Sequence, residues 1–131
     1  MGKAYILAVD QSTQGTKALL LDEQGRFLLR RDVPHRQLIH EQGWVGHDAV
    51  EIAQNLPRVC RMVIQDAGIS AGDIVGVAVT NQRESVCVWD AHTGLPVCES
   101  VVWQCNRAAE LCERLDSPAV RQAVQEKTGL Q

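Results

Sequence analysis

The chain opens with short apolar runs cut by polar turns, then changes to helical spacing, and the change recurs. Tyr5-Ile6-Leu7-Ala8-Val9 is an apolar run that stops at Asp10, which predicts a buried strand. Residues 11–16 are polar and include Gly15, so they predict a turn. Residues 18–21 predict a second strand and residues 26–33 a third. Asp22-Glu23-Gln24-Gly25 joins them as a hairpin connection, with Gly25 set for positive φ. Residues 34–46 are polar and irregular, with Trp44 near their end. Asp48 then opens a helix, and Glu51 stands at the capping-box distance from it. Val50, Ala53, Leu56, Cys60 and Val63 recur on one helical face, and Gly68 ends the run. Pro57 inside this helix predicts a kink or a shifted start.

The second half begins with Ile74-Val75-Gly76-Val77-Ala78-Val79, a β-branched run that predicts a buried parallel strand. It empties into Thr80-Asn81-Gln82-Arg83-Glu84. Residues 85–89 predict another strand and His92-Thr93-Gly94 its turn. Residues 96–103 read as extended, with 100–103 the best strand. Asn106 or Arg107 opens a second helix through Leu115, whose Ala108, Leu111, Cys112 and Leu115 share a face. Pro118 starts a further helical stretch, 119–127, closed by Gly129. The order β-β-β-α-β-β-β-α places the chain in the α/β class.

Length and composition narrow the function classes. A chain of 131 residues, 45% of them hydrophobic, suits one domain with a real core. A net charge of −3 and a pI near 5.8 lack the basic footprint of a nucleic-acid binder. Five cysteines without a Cys-x-x-Cys argue against a disulfide framework or a zinc site and for free thiols. Met1-Gly2-Lys3-Ala4 runs straight into a strand pattern, without the apolar stretch of a signal peptide. Gly2 is not followed by the acylation motif, because Ile6 stands where Ser or Thr is needed. No apolar run is long enough to span a bilayer. The expectation is a cytoplasmic protein that binds neither membrane nor nucleic acid.

Two polar clusters carry candidate chemistry. Asp10 sits at the carboxyl end of the first strand, the edge where open α/β sheets bind ligands. The turn after it aims backbone N–H groups outward and offers the hydroxyls of Ser12, Thr13 and Thr16, with Lys17 as a cation. That is a phosphate cradle in which Asp10 holds Mg²⁺. By spacing alone it is equally an ordinary hairpin turn with a capping Asp. Asn81-Gln82-Arg83-Glu84 ends a second buried strand and reaches the same edge. Arg83 donates in a planar fork, Glu84 accepts, and together they suit adjacent hydroxyls of a polyol, with Trp103 as an aromatic wall. The alternative is a surface salt bridge beside a core tryptophan.

Over essentially all of its length the chain resembles the FGGY family of carbohydrate kinases, nearest to its glycerol kinase members. The matching segments run in order. They are Ile6-Leu7-Ala8-Val9-Asp10-Gln11 with Thr13, Gly43-Trp44-Val45 with His47-Asp48, Thr80-Asn81-Gln82-Arg83-Glu84, and Val88-Trp89 with Thr93-Gly94. Val102-Trp103-Gln104-Cys105 with Arg107 and Thr128-Gly129-Leu130 complete the set. The resemblance implies a ribonuclease H-like, actin-like ATPase domain: three antiparallel strands, then parallel strands with crossover helices. It implies ATP and Mg²⁺ as cofactors, a polyol or sugar as acceptor, and admits a homo-oligomer.

By the same resemblance Thr13, Gln14 and Gly15 contact the nucleotide phosphates, and Lys17 stands where the family has a basic residue, usually Arg. Asp10 lies beside the metal, and Arg83, Glu84 and Trp103 bind glycerol. Three positions depart from the family pattern. Ser12 stands for Gly, Gln14-Gly15 for a Thr/Ser pair, and Asn106 for Arg or Asp, which leaves open a substrate other than glycerol.

Family members are several times longer, with the catalytic base and much of the adenine pocket in the second half. Residues 1–131 are therefore expected to be the N-terminal part of the first domain, with no catalytic residue and no turnover of their own. The competing expectations are another FGGY sugar kinase of xylulokinase type, a non-catalytic sugar- or nucleotide-binding module, and a ribonuclease H-like nuclease. The nuclease needs several carboxylates converging on two metals, and Asp10 and Glu84 are the only placed candidates.

Overall fold

A computed structural model describes residues 4–130; Met1, Gly2 and Lys3, on which the signal-peptide and acylation readings fall, and Gln131 lie outside the described residues. Three strands form an antiparallel meander: β1 (Tyr5–Gln11), β2 (Gly15–Asp22) and β3 (Phe27–Pro34). The polar turn expected at residues 11–16 is shorter, because Gln11 pairs with Thr16 and Asp10 with Lys17 across the ladder. Only residues 12–14 turn. Gly25 closes the second connection at φ +75°, and the Asp22 carboxylate accepts from the backbone of Gln24 and Arg26 at 3.0 and 2.9 Å.

The segment expected to be irregular forms β4 (Gln37–Ile39) and β5 (Val45–His47). These short strands escaped the sequence pattern because neither alternates over enough residues to register. Next comes α1 (Ala49–Asp66), capped by Asp48, whose carboxylate accepts from Val50 N at 2.8 Å and Glu51 N at 3.3 Å. Glu51 does not reach back to complete a capping box. Its carboxylate faces Arg36 instead, 3.6 Å from the guanidinium. The helix runs unbroken through Pro57 from the start Asp48 marks, so Pro57 does not shift that start. The buried face also differs in part from the expected one. Val63 and Cys60 pack on the core as expected, but Asn55 and Val59 join them, whereas Val50 and Leu56 stay more than a third exposed.

After α1, β6 (Ile74–Thr80) pairs parallel to β1, giving the sheet order β3-β2-β1-β6. Tyr5, Leu7, Val9, Ala18, Leu20 and Val33 from β1 to β3 pack with Val59 and Val63 of α1 as the core. Burying a side chain of this kind stabilises by about 1.5–3 kcal/mol. Strand β6 is parallel as expected but not buried. It is the sheet's edge, α1 packs over the other strands, and Val75, Val77 and Val79 are 69, 61 and 60% exposed.

The strands expected at 85–89 and 100–103 reduce to β7 (Ser100–Val101), which joins β4 and β5 in a second sheet, and to isolated bridges Val86–Val101 and Trp89–Pro96. Pro96 has no N–H to extend that ladder. Helix α2 (Ala109–Leu115) starts later than the expected Asn106 or Arg107, and α3 (Pro118–Thr128) ends at Gly129, φ +74°. The apolar face of α2 is exposed, with Leu111 at 49% and Leu115 at 58%.

Beneath the junction of the two sheets, His35 and His47 are buried, their ring centroids 4.7 Å apart edge to face. Burial pushes the His47 pKa below its ordinary value, and His35 lowers it further against an opposing pull from Glu51. The unfolded chain then binds the proton more tightly than the native state. Stability is expected to be complete above the ordinary histidine range and to fall as pH drops from about 7 to about 5. Urea denaturation across that range checks this, and His47→Gln is expected to flatten the dependence.

Candidate active site

The register between the parallel strands builds the site. Asp10 of β1 pairs with Thr80 of β6, so the residues leaving both strands emerge at one sheet edge. A pocket of about 360 Å³ lies there, lined by Asp10, Ser12 and Thr13 on one side, Asn81 to Glu84 on the other, and Trp103 across its mouth. A second pocket of about 340 Å³ shares Ser12, Thr13 and Trp103 and adds Gln14, Gln37 and Gln104. Thr13 and Trp103 form the partition, joined by a hydrogen bond from the indole Nε1 to Thr13 Oγ1 at 2.9 Å. Of the residues singled out from the sequence, Asp10, Thr13, Gln14, Arg83, Glu84 and Trp103 come together here.

Gly15 and Lys17 line neither pocket. Gly15 is needed for packing. A Cβ there would sit 2.7 Å from the Val33 carbonyl oxygen of β3. Lys17 of β2 reaches across to β1, so that Nζ lies 3.0 Å from Asp10 Oδ2 and 3.0 Å from Ser12 Oγ. The Ser12 hydroxyl donates in turn to the Gly15 carbonyl at 3.0 Å and closes the turn. Thr16, read from the sequence as a phosphate-facing hydroxyl, is fully buried with its Oγ1 unpartnered. Strand alternation turns position 16 into the core.

The Asp10 carboxylate is 38% exposed on the pocket wall. One such carboxylate completed by water and phosphate oxygens is a donor set that suits Mg²⁺. No group of three or more His, Cys, Asp or Glu forms a self-sufficient metal site among the described residues.

Glu84 takes φ 53°, the sole positive φ outside glycine among the described residues. A side chain in this region costs about 1–2 kcal/mol. Gln82 Nε2 donates to Ser85 Oγ at 2.7 Å, bracing the tight turn that holds it. Neither Arg83 nor Glu84 joins an ion pair among the described residues, and Trp103 is 57% exposed. The alternative of a surface salt bridge beside a core tryptophan is therefore not what folds.

Behind Trp103, Arg107 ties the wall together. Its guanidinium donates to Glu99 Oε1 at 2.8 Å and Cys105 Sγ at 2.9 Å, and sits 5.2 Å over the Trp44 ring. His40 holds the other Glu99 oxygen at 2.8 Å, and these bonds, His40 first, keep Glu99 below its usual carboxylate range. Gln37 and Gln104, joined at 3.1 Å, complete the second pocket. The sequence reading missed Gln37 as a lining residue, because it lay in a segment read as irregular.

Residues 5–131 match the FGGY family of carbohydrate kinases, N-terminal domain. The chain belongs to the FGGY family. It is 46% identical over 126 residues to glycerol kinase 1 of Thermotoga maritima and 40% identical over 128 residues to glycerol kinase of Treponema denticola. These alignments cover 96 and 98% of this chain and 26% of each relative. Among solved structures, Plasmodium falciparum glycerol kinase with ADP superposes at a TM-score of 0.79 with 31% identity, covering 95% of this chain and 25% of that one. Gluconate kinase from Lactobacillus acidophilus, 19% identical with a TM-score of 0.86 over 98% of this chain and 25% of that one, shares the fold. This FGGY chain thus spans about a quarter of the length of the relatives it matches, and it carries the α/β, actin-like fold expected of it.

Relieving the strain at Glu84 separates stability from binding. Glu84→Gly is expected to raise the unfolding free energy by about 1 kcal/mol, read as a higher urea midpoint, while removing the acceptor from the pocket.

Proposed function

We propose that this chain is the N-terminal part of the first domain of an ATP-dependent polyol kinase whose acceptor is glycerol, giving glycerol 3-phosphate. The observation that carries the reading is the partitioned pair of pockets at one sheet edge. In the first, Arg83 and Glu84 present a donor fork and an acceptor to adjacent hydroxyls, and the Trp103 ring packs against the carbon side. In the second, Thr13 and Gln14 face the nucleotide phosphates. Gly15 closes the turn behind them, and Lys17 holds Asp10 and supplies the positive charge of the turn. Mg²⁺, bound through Asp10, would supply charge neutralisation for the phosphates.

Glycerol is favoured over a xylulose-type acceptor by the identity to glycerol kinases, 40–46% against 18% for a xylulose kinase of the same fold. The Thr80-to-Glu84 and Trp103-Gln104 segments point the same way. Phosphoryl transfer needs positioning, metal and a base acting together. By the family resemblance that base lies in the second half of the longer members, of which this chain spans about a quarter, so the chain by itself is expected to bind without turning over.

Calorimetry with glycerol and with Mg–ATP tests binding. Arg83→Ala is expected to weaken glycerol by at least about tenfold, the loss of a hydrogen bond from a charged donor. A steady-state coupled ADP assay tests turnover. Glycerol-dependent ADP release by the isolated chain, or glycerol binding indifferent to Arg83→Ala, counts against the reading.

A further inference from the structure

The turn between β1 and β2 carries two side-chain hydroxyls, Ser12 and Thr13, and each has a single proton to donate. Ser12 commits its proton to the Gly15 carbonyl at 3.0 Å and accepts from Lys17 at 3.0 Å, so it has no proton left for a ligand. Thr13 differs. An indole N–H only donates, so in the 2.9 Å contact with Trp103 Nε1 the Thr13 oxygen is the acceptor. Its own O–H remains available, and Thr13 lines both pockets.

We propose that Trp103 is a positioning residue for Thr13 and couples the two pockets energetically. The indole N–H takes an acceptor lone pair of Thr13 and so directs the Thr13 O–H toward an anionic oxygen of a nucleoside polyphosphate. The ring of the same indole walls the polyol pocket. This inference rests on the kinase reading of the two pockets.

The coupling follows from ordering. Trp103 is 57% exposed, so its ring has rotational freedom to lose. A polyol packed on the ring fixes the indole and, through Nε1, fixes Thr13. The nucleotide then binds a hydroxyl already oriented. Linkage makes the effect reciprocal, so nucleotide tightens polyol by the same factor. The two residues are 90 positions apart in sequence. One hydrogen bond links the phosphate turn to the polyol wall.

The test is a titration of the ¹⁵N-labelled chain with Mg–ADP, followed by NMR, with and without saturating glycerol. The wild-type chain is expected to bind Mg–ADP at least about fivefold more tightly with glycerol present. Trp103→Phe keeps an aromatic wall and deletes the N–H. Its affinity ratio is expected to fall to about 1, whatever its absolute affinity for glycerol. Thr13→Val is expected to do the same, and Thr13→Ser to restore coupling.

In the wild-type chain glycerol is expected to slow exchange of the Trp103 indole proton with water, and in Thr13→Val to slow it less, a signature that loss of wall area alone would not give. A wild-type affinity ratio retained in Trp103→Phe overturns the proposal. So do effects of Trp103→Phe and Thr13→Val that add in the double variant rather than coincide. If the wild-type chain binds both ligands without coupling, the proposal falls and the kinase reading stands; if it binds neither, both fall.

Discussion

The pairing of Asp10 with Thr80 is the constraint from which the site follows. Strand β1 is held on one side by antiparallel β2 and on the other by parallel β6. Antiparallel pairing returns the chain to Asp10 through a three-residue turn. Parallel pairing ends β6 at the same edge, so two segments some seventy residues apart in sequence meet there. A one-residue slip in either ladder would turn Asp10 inward and carry Leu7 and Val9 out of the core. The hydrophobic alternation of β1 therefore guards the position of a polar residue that contributes nothing to the core.

Charge and hydrogen-bond inventory then divide the labour among residues that look interchangeable in the sequence. Ser12, Thr13 and Thr16 all carry hydroxyls within five positions. Thr16 is buried by strand alternation, Ser12 is consumed between Gly15 and Lys17, and Thr13 alone keeps a free proton at the pockets. Ser12 stands where the resemblance leads one to expect Gly, and its hydroxyl accepts a second hydrogen bond from the Lys17 ammonium that pairs with Asp10. The strained Glu84 backbone is a further cost accepted at the site, and the Gln82–Ser85 bond braces the turn that maintains it.

The remaining apolar surface has a consistent placement. The core lies under α1, between β1, β2 and β3. The edge strand β6 and helices α2 and α3 expose Val75, Val77, Val79, Leu111, Leu115, Val120 and Val124. Exposed valines along an edge strand are a liability for any free-standing domain.

The sequence by itself determined the class of the fold, the meander and parallel strand, the Asp48 and Gly129 helix boundaries, and the polar residues at the two strand ends. These are local properties: apolar runs, cap chemistry and turn glycines act within a few residues, and the pattern records them. It did not determine that residues 37–39 and 45–47 pair, because those strands are three residues long, too short for an alternation to register, and only β5 gains a further partner in β7, more than fifty positions away. It placed Cys60 and Val63 of α1 against the core but added Val50 and Leu56 and left out Asn55 and Val59, because all of them satisfy helical spacing and only the position of the sheet chooses among them. It grouped Thr16 with Thr13, and could not tell that Trp103 would be exposed and bonded to Thr13 rather than buried. Burial, partner choice and the direction of a hydroxyl proton depend on which distant segments meet, and that was decided by the tertiary structure alone.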